Sequence, residues 1–442
     1  MQTLTASMEF DAFRLKTIVV DLTPVLPGGY NGGAKVFVLE LIRRLGSLAP
    51  STNFVLLTHS VSHEELTMLD ASNVFRLKVI DVSPANNTER RLSVAVKSVL
   101  ELIPIPYRDR IKQRIKKLHK KKNGANLLHS LHADLLFCPF TAPTYHVPGI
   151  PTVCTFYDIQ YKTYPQFFDT IDLLHRDYIF REACRHATIL AAISDYSRTS
   201  AIKEGVISPD RIRTIYLRLA QRINAPLQEL THVTLTSVGL EKGKYLLYPA
   251  NFWKHKNHEI LLVAFDLARK QGLPDDIKLV CTGASGQHRD CLIRAADAIG
   301  LAKHVIMPGY LPTDELSILM HNSHALIFPS LYEGFGLPVI EAMAAGIPVA
   351  CSNVTSLPEI AGEAALLFDP RIPEQIAAAI HSLATEQDTR ARYIAAGYQR
   401  ASEFTDSERM AREYLDVFKS ACRTMGQQST LTSVNNTREE KS

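Results

Sequence analysis

The residues best placed to do chemistry lie in one run, SLYEGFGLPVIEAMAAGIP, from Ser330 to Pro348. It follows the apolar stretch Ala325 to Phe328, and Pro338 suits a first helical position. Gly334 and Gly336 let the backbone approach a ligand closely, and the free amides from Gly334 through Phe335 to Leu337 face an anion at a helix start. Glu333 stands in the loop and Glu341 in the first turn of the helix. Two carboxylates beside an anion site fit a ligand that carries hydroxyls as well as phosphates, and a nucleotide sugar has both. One carboxylate would accept from a sugar ring and the other from a ribose diol. The plainer alternative is a glycine turn in which Glu333 is solvated and Glu341 complements the helix dipole. The length of the EGFGLPVIEA run outweighs it.

Four further junctions join a β-branched run to a glycine-rich or basic turn. They are Pro27-Gly28-Gly29-Tyr30-Asn31-Gly32-Gly33, Tyr157-Asp158-Ile159-Gln160, Asn251-Phe252-Trp253-Lys254-His255-Lys256-Asn257-His258, and the pair Gly283 and Gly309-Tyr310. Each alone marks an ordinary turn as readily as a site. A solvated basic turn is the weaker account of the third, because an exposed Trp253 would be unusual there.

The elements that must position these residues alternate along the chain as short apolar runs and helical patterns, which predicts parallel sheets covered by helices. In the first half the expected strands are Thr17 to Asp21, Phe54 to Thr58, Leu77 to Val82, Leu135 to Pro139, Thr152 to Phe156 and Ile189 to Ile193. In the second half they are Tyr245 to Pro249, Lys278 to Thr282, Val305 to Met307, Ala325 to Phe328 and Pro348 to Cys351. At 442 residues the chain exceeds one ordinary core, so two domains are expected. Residues 1–14 read as an extension, 15–222 and 244–404 as the domains, and 223–243 as a linker without periodicity. Residues 405–424 read as an amphipathic helix packing back, and 425–442 as a disordered tail.

Composition narrows the class. With 46% apolar and 21% charged residues this is a globular chain. Its seven cysteines are scattered and form no C-x-x-C pair, which points to a reduced, cytoplasmic protein without structural zinc. Asp21 interrupts the first apolar run, so no signal peptide is expected, and no run is long enough for a membrane span.

The net charge of +4 is concentrated. Within an expected helical insertion at 90–130, Arg108, Arg110, Lys112, Arg114, Lys116, Lys117, Lys120, Lys121 and Lys122 face the single acid Asp109. Ile111, Ile115 and Leu118 at helical spacing fit a helix lying on an anionic membrane surface, and a solvated basic helix fits nearly as well. Nucleic acid is the poorer partner, since residues 111–123 contain no aromatic side chain.

The run Glu333 to Pro348, followed by NVTSLPEIAGEAALLFD from Asn353 to Asp369, resembles the signature of the retaining glycosyltransferases of group 1, also called family 4. The resemblance implies an α/β fold of two Rossmann-like domains facing a central cleft, the GT-B fold. It also implies a nucleotide diphosphate sugar held mainly by the second domain, and no required metal or other cofactor. The absence of any D-x-D agrees with the last point. It implies Lys256 on the donor diphosphate, with Asn251 where the family often has arginine and Lys254 or His255 as substitutes. Gly32 and Gly33 would stand near the phosphate and the transferred sugar, and Gly283, Gly309 and Tyr310 near the nucleoside. Glu333 would hold sugar hydroxyls and Glu341 the ribose.

Tyr157 stands where many members have a histidine before Asp158. A tyrosine donates a hydrogen bond but is no base near neutral pH, so it would either position the sugar or pack at the strand end. One lysine about 4 Å from a phosphate contributes about 4 kcal/mol at an effective dielectric of about 20, so several donors are needed. The wording YPANFWKHKNH is most similar to bacterial polysaccharide mannosyltransferases, which favours GDP-mannose as donor and a lipid-linked or growing glycan as acceptor. A nucleotide-sugar epimerase and a non-catalytic partner in glycan assembly are the rival functions.

Overall fold

The computed structural model describes residues 15–80, 127–223, 228–284 and 286–439. The expected extension at 1–14 and the basic stretch Arg108 to Lys122 lie outside them.

Two all-parallel sheets organise the chain. The first has the order β3-β2-β1-β4-β5-β6-β7, from β1 (Thr17–Asp21), β2 (Asn53–His59), β3 (Val74–Ile80), β4 (Leu135–Cys138), β5 (Thr152–Phe156), β6 (Ile189–Ala192) and β7 (Ile212–Thr214). Its central strands are buried throughout, the pattern of a parallel sheet covered on both faces. The covering helices include α1 (Gly32–Leu48), α2 (Thr170–His186) and α3 (Asp195–Lys203). Helix α1 turns Phe37, Val38, Leu41, Ile42 and Leu45 inward at helical spacing.

The segment expected to be an irregular linker contains a helix, α4 (Gln228–Ser237). Proline and glycine are both absent from these ten residues, and Leu235 is buried, so the helix has an anchor that its weak periodicity hid.

The second sheet has the order β10-β9-β8-β11-β12-β13, from β8 (Tyr245–Pro249), β9 (Lys278–Thr282), β10 (Val305–Gly309), β11 (Ala325–Phe328), β12 (Val349–Ser352) and β13 (Ala365–Phe368). Its helices are α5 (His258–Lys270), α6 (Gln287–Ala298), α7 (Thr313–Asn322), α8 (Leu337–Ala344), α9 (Pro373–Thr385), α10 (Gln387–Ser402) and α11 (Ser407–Glu439), besides the short turn Leu357–Ala361. Among the described residues no helix is long and apolar enough to cross a membrane.

Helix α11 leaves the second domain and packs on α1 of the first. There the Tyr414 hydroxyl meets Thr155 Oγ1 of β5 at 3.1 Å, and Phe418 packs on Phe137 of β4 with ring centroids 5.0 Å apart. The helix continues to Glu439, past the expected start of a disordered tail at 425. No proline interrupts it between Ser407 and Glu439.

Strand order fixes where a ligand belongs. Each sheet reverses direction of winding at one point, between β1 and β4 in the first and between β8 and β11 in the second. Ligands bind outside the carboxyl ends of strands at such points. The loops that leave β1, β8 and β11 there are the glycine loop at 22–31, the basic turn at 250–257 and the run at 329–336.

Candidate active site

These three loops line a cavity of about 1180 Å³ between the domains. The loop after β11 owes its path to its glycines. Gly336 has φ +105 at the start of α8, a left-handed conformation open to glycine, and a Cβ there would lie 2.6 Å from Leu357 Cδ2. At Gly334 a Cβ would lie 2.6 Å from the main-chain oxygen of Tyr157 in the first domain. The sequence reading took these glycines as room for a ligand. Both are required first by protein packing.

The loop is fastened from behind. Ser356, fully buried, has its hydroxyl 3.0 and 3.1 Å from the carbonyls of Glu333 and Phe335, and Thr355 Oγ1 accepts from Glu333 N at 3.1 Å. The Asn353 to Asp369 half of the signature therefore supports the half that faces the cavity.

The basic turn docks onto the same loop. Asn257 adopts φ +63, which asparagine tolerates, and its amide donates to the carbonyls of Pro329 at 3.1 Å and Pro370 at 2.7 Å. Buried Tyr248 donates to the Lys256 carbonyl at 2.7 Å. The turn thus presents Lys256 Nζ 2.6 Å from Glu333 Oε1, with about an eighth of each side chain exposed. The residues that sequence assigned to diphosphate and to sugar hydroxyls form one ion pair. Because an ammonium has three donors, Lys256 can keep one bond to Glu333 and turn another to a phosphate oxygen.

Around this pair the electrostatics are set by burial. Burial pushes the Asp158 carboxyl above its ordinary range, against Gln160 N, which donates to it at 3.0 Å, and the positive charge of Arg176. His255 is pushed down to about 2 by burial and by Lys256 and Arg176, so it is neutral and leaves the positive charge to the lysine.

Facing the basic turn is the first-domain glycine loop. Gly32 has φ +54, and a Cβ on Gly33 would meet Leu337 at 3.1 Å. Lys35 is buried and holds this loop from beneath, donating to the carbonyls of Leu26 at 2.9 Å and Gly28 at 3.0 Å and to Glu65 at 2.6 Å. Asn251 Oδ1 accepts from Ala284 N at 2.8 Å, which ties the β8 loop to the β9 loop. Gly283 is glycine because a Cβ would lie 2.4 Å from the Ala250 carbonyl oxygen, and Gly309, at φ +93, ends β10 and accepts from Gly283 N at 2.9 Å. Tyr310 folds over the cleft against Gly29.

Two expected side chains are engaged by protein partners. The Tyr157 hydroxyl donates to the Pro139 carbonyl at 2.7 Å and its ring packs edge-on against Phe37, while the residue also lines the cavity. The Glu341 carboxylate, 1% exposed, accepts from Arg222 Nε at 2.8 Å. Arg222 lines the cavity, so the arginine stands at the wall with Glu341 behind it as its ion-pair partner. Glu341 is also the fifth residue of α8 and so lies past the first turn in which sequence places it.

The sequence reading missed the residues that join the domains at this site. Ser194 caps α3 and its hydroxyl donates to the Gly334 carbonyl at 2.7 Å. Ser197 donates to the Tyr157 carbonyl at 2.6 Å and also lies 3.3 Å from the Gly334 carbonyl across the cleft. Glu359 accepts from Asp195 N at 2.7 Å and Tyr196 N at 2.8 Å. The S-D-Y-S pattern signals a helix start but gives no hint of its partner.

Two parallel-sheet Rossmann-like domains with a cleft between them at both switch points make up the GT-B fold. Residues 237–400 match the family described as Glycosyl transferases group 1. The chain is 32% identical over 276 residues to the O-antigen chain mannosyltransferase B of Escherichia coli, covering 60% of this chain and 70% of that protein. It is 26% identical over 249 residues to the serotype-specific mannosyltransferase WbdA of Escherichia coli, a match that spans 52% of this chain and 30% of that longer protein. In fold it is similar to Anabaena Alr3699/HepE, solved in complex with UDP and glucose, with a TM-score of 0.67 at 16% identity over 92% of this chain and 100% of that one. The chain belongs to the group 1 glycosyltransferases.

Proposed function

We propose that the protein transfers a hexose, mannose before others, from a nucleotide diphosphate sugar to a lipid-linked or growing glycan in polysaccharide biosynthesis. In this reading transfer retains the anomeric configuration, needs no divalent ion and takes place on the cytoplasmic side. The acceptor hydroxyl oxygen bonds to the anomeric carbon as the bond from that carbon to the diphosphate oxygen breaks. The hydroxyl proton passes to the departing nucleoside diphosphate.

The observation that carries the reading is the Lys256–Glu333 pair, which lines the same cavity as the residues that open α8 and the first-domain glycine loop. It offers a cation to the leaving group and an anion to sugar hydroxyls within one contact. Mannose rests on the likeness to the two Escherichia coli mannosyltransferases.

A thermal-shift panel of nucleotide sugars tests donor choice, because a ligand that binds only the folded state raises its stability. GDP-mannose is expected to give the largest shift, and incubation with acceptor oligosaccharides is expected to give an extended glycan of retained configuration. Isomerised donor with no extended glycan would overturn transfer in favour of epimerisation.

A further inference from the structure

In the reading proposed above the nucleoside lies on the side of the cavity lined by Tyr310, Gly283 and Arg222. The wall beside Lys256 has a different chemistry. There Trp253 is 48% exposed, although its main chain is held by bonds from Trp253 N to the Asn251 carbonyl at 2.7 Å and from Lys256 N to the Trp253 carbonyl at 2.9 Å. Its ring is tilted against that of His255 at 5.6 Å. A half-exposed indole on a fixed turn is a rigid apolar plate facing water.

From the first domain, the entry to α2 supplies the other components. The Arg176 guanidinium lies over the Phe168 ring, 4.8 Å from its centroid, and Arg176 Nε lies 3.1 Å from both carboxylate oxygens of Asp172. Asp169 fixes the helix start by accepting from Asp172 N at 2.8 Å. Tyr164 stacks on Phe167 at 5.3 Å and accepts from Arg371 of the second domain at 2.9 Å, which pins this wall across the cleft. Phe168, Asp172, Arg176 and Trp253 all line the same cavity as Lys256 and Glu333.

We propose that Trp253 and the Asp172–Arg176 pair, with Phe168 backing the arginine, form the acceptor subsite, which takes the terminal hexose of a glycan. A hexose has an apolar C–H face that lies on the indole and an equator of hydroxyls that pair with a carboxylate and a guanidinium. A lipid chain would leave that ion pair unsatisfied, and a second nucleotide would set its phosphates against Asp172. Arg176 is near enough to Asp158 and His255 to influence the charge of both. A sugar held on this wall is therefore beside the Lys256–Glu333 pair.

The inference rests on the transfer reading, and one experiment separates the two. Trp253 is the sole tryptophan of the chain, so its emission reports this wall directly. With GDP or UDP present, the full-length protein is titrated with α-linked mannotriose, maltotriose and globotriose. A saturable change in emission is expected with at least one of them, weakened about tenfold or more in both Phe168→Leu and Asp172→Asn. A flat response to all three, or an affinity that neither variant moves, overturns the subsite. Thermal shifts with GDP-mannose and UDP-glucose read the donor side of the same samples. Donor binding without a trisaccharide response sinks the subsite alone, whereas a trisaccharide response without any donor binding sinks the transfer reading.

Discussion

The hydroxyl of Ser194 donates to the carbonyl of Gly334 at 2.7 Å, so the residue that caps a first-domain helix also holds the loop that the second domain offers to the donor. The bond is fully buried, and it lies beside the point where Tyr157 and Gly334 meet main chain to main chain. Domain closure and loop geometry are therefore one structural event.

Replacing Gly334 by alanine tests that coupling. A Cβ 2.6 Å from the Tyr157 carbonyl oxygen leaves only backbone to move. Displacements of about 1 Å near reacting groups reduce rates by about a hundredfold. Gly334→Ala is expected to lower kcat/KM for transfer by at least about tenfold while the far-ultraviolet circular dichroism stays that of the parent. Unaltered kcat/KM would show that the domains part during turnover.

Lys256→Met removes the cation and leaves Glu333 without its partner. Loss of one preorganised charge-stabilising donor reduces kcat by about a hundredfold to a thousandfold. A fall of that size in transfer rate is expected, with donor affinity also weaker by calorimetry. Activity within twofold of the parent would remove Lys256 from the donor site.

The Arg222–Glu341 pair makes a prediction about stability. Glu341 is 1% exposed, and removing one partner of a buried pair destabilises by about 3 kcal/mol or more. Arg222→Ala should lower Tm by several degrees, and Arg222→Ala combined with Glu341→Leu should recover most of that loss. If the single variant melts with the parent, Glu341 is solvated and free to meet a ribose, as sequence alone suggested.

The ring of His258 is sandwiched between those of Tyr248 and Phe252, at 4.7 and 4.9 Å, and among the described residues neither of its nitrogens has a hydrogen-bond partner. Burial pushes it down to about 3, from an ordinary value of about 6.5. Between those values the unfolded chain binds a proton that the folded chain refuses, so stability rises with pH across this window and falls on acidification. The slope for such a group is at most about 1.4 kcal/mol per pH unit. His258→Phe, which keeps the ring sandwich, should lose less Tm than the parent between pH 7 and pH 5. Parallel pH profiles would mean that His258 finds a partner when protonated.

The centre of each sheet and the edge strand β10 were legible from sequence, and the other edges were not or only in part. Strands β1, β5, β8, β9 and β11 fall on the residues expected, because each is a short run rich in apolar residues and almost wholly buried. Strands β7 and β13 lie at sheet edges, run for three and four residues and are half exposed, so their apolar signal is too brief to separate from a turn. The edge strand β3 was expected at Leu77 to Val82 and begins earlier, at Val74. In the site, loops with glycines at fixed spacing could be recognised. Ser194 and Glu359 could not, since their roles depend on partners 140 and 164 residues away.

Helix α11 contributes Tyr414 and Phe418 to the core of a domain whose strands are encoded hundreds of residues earlier. During translation the first sheet emerges long before the helix that covers β4 and β5. Its apolar face must wait for almost the whole second domain to be synthesised. The amino-terminal half made alone should therefore collect in aggregates or on chaperones, and become soluble when 407–439 is supplied as a separate peptide.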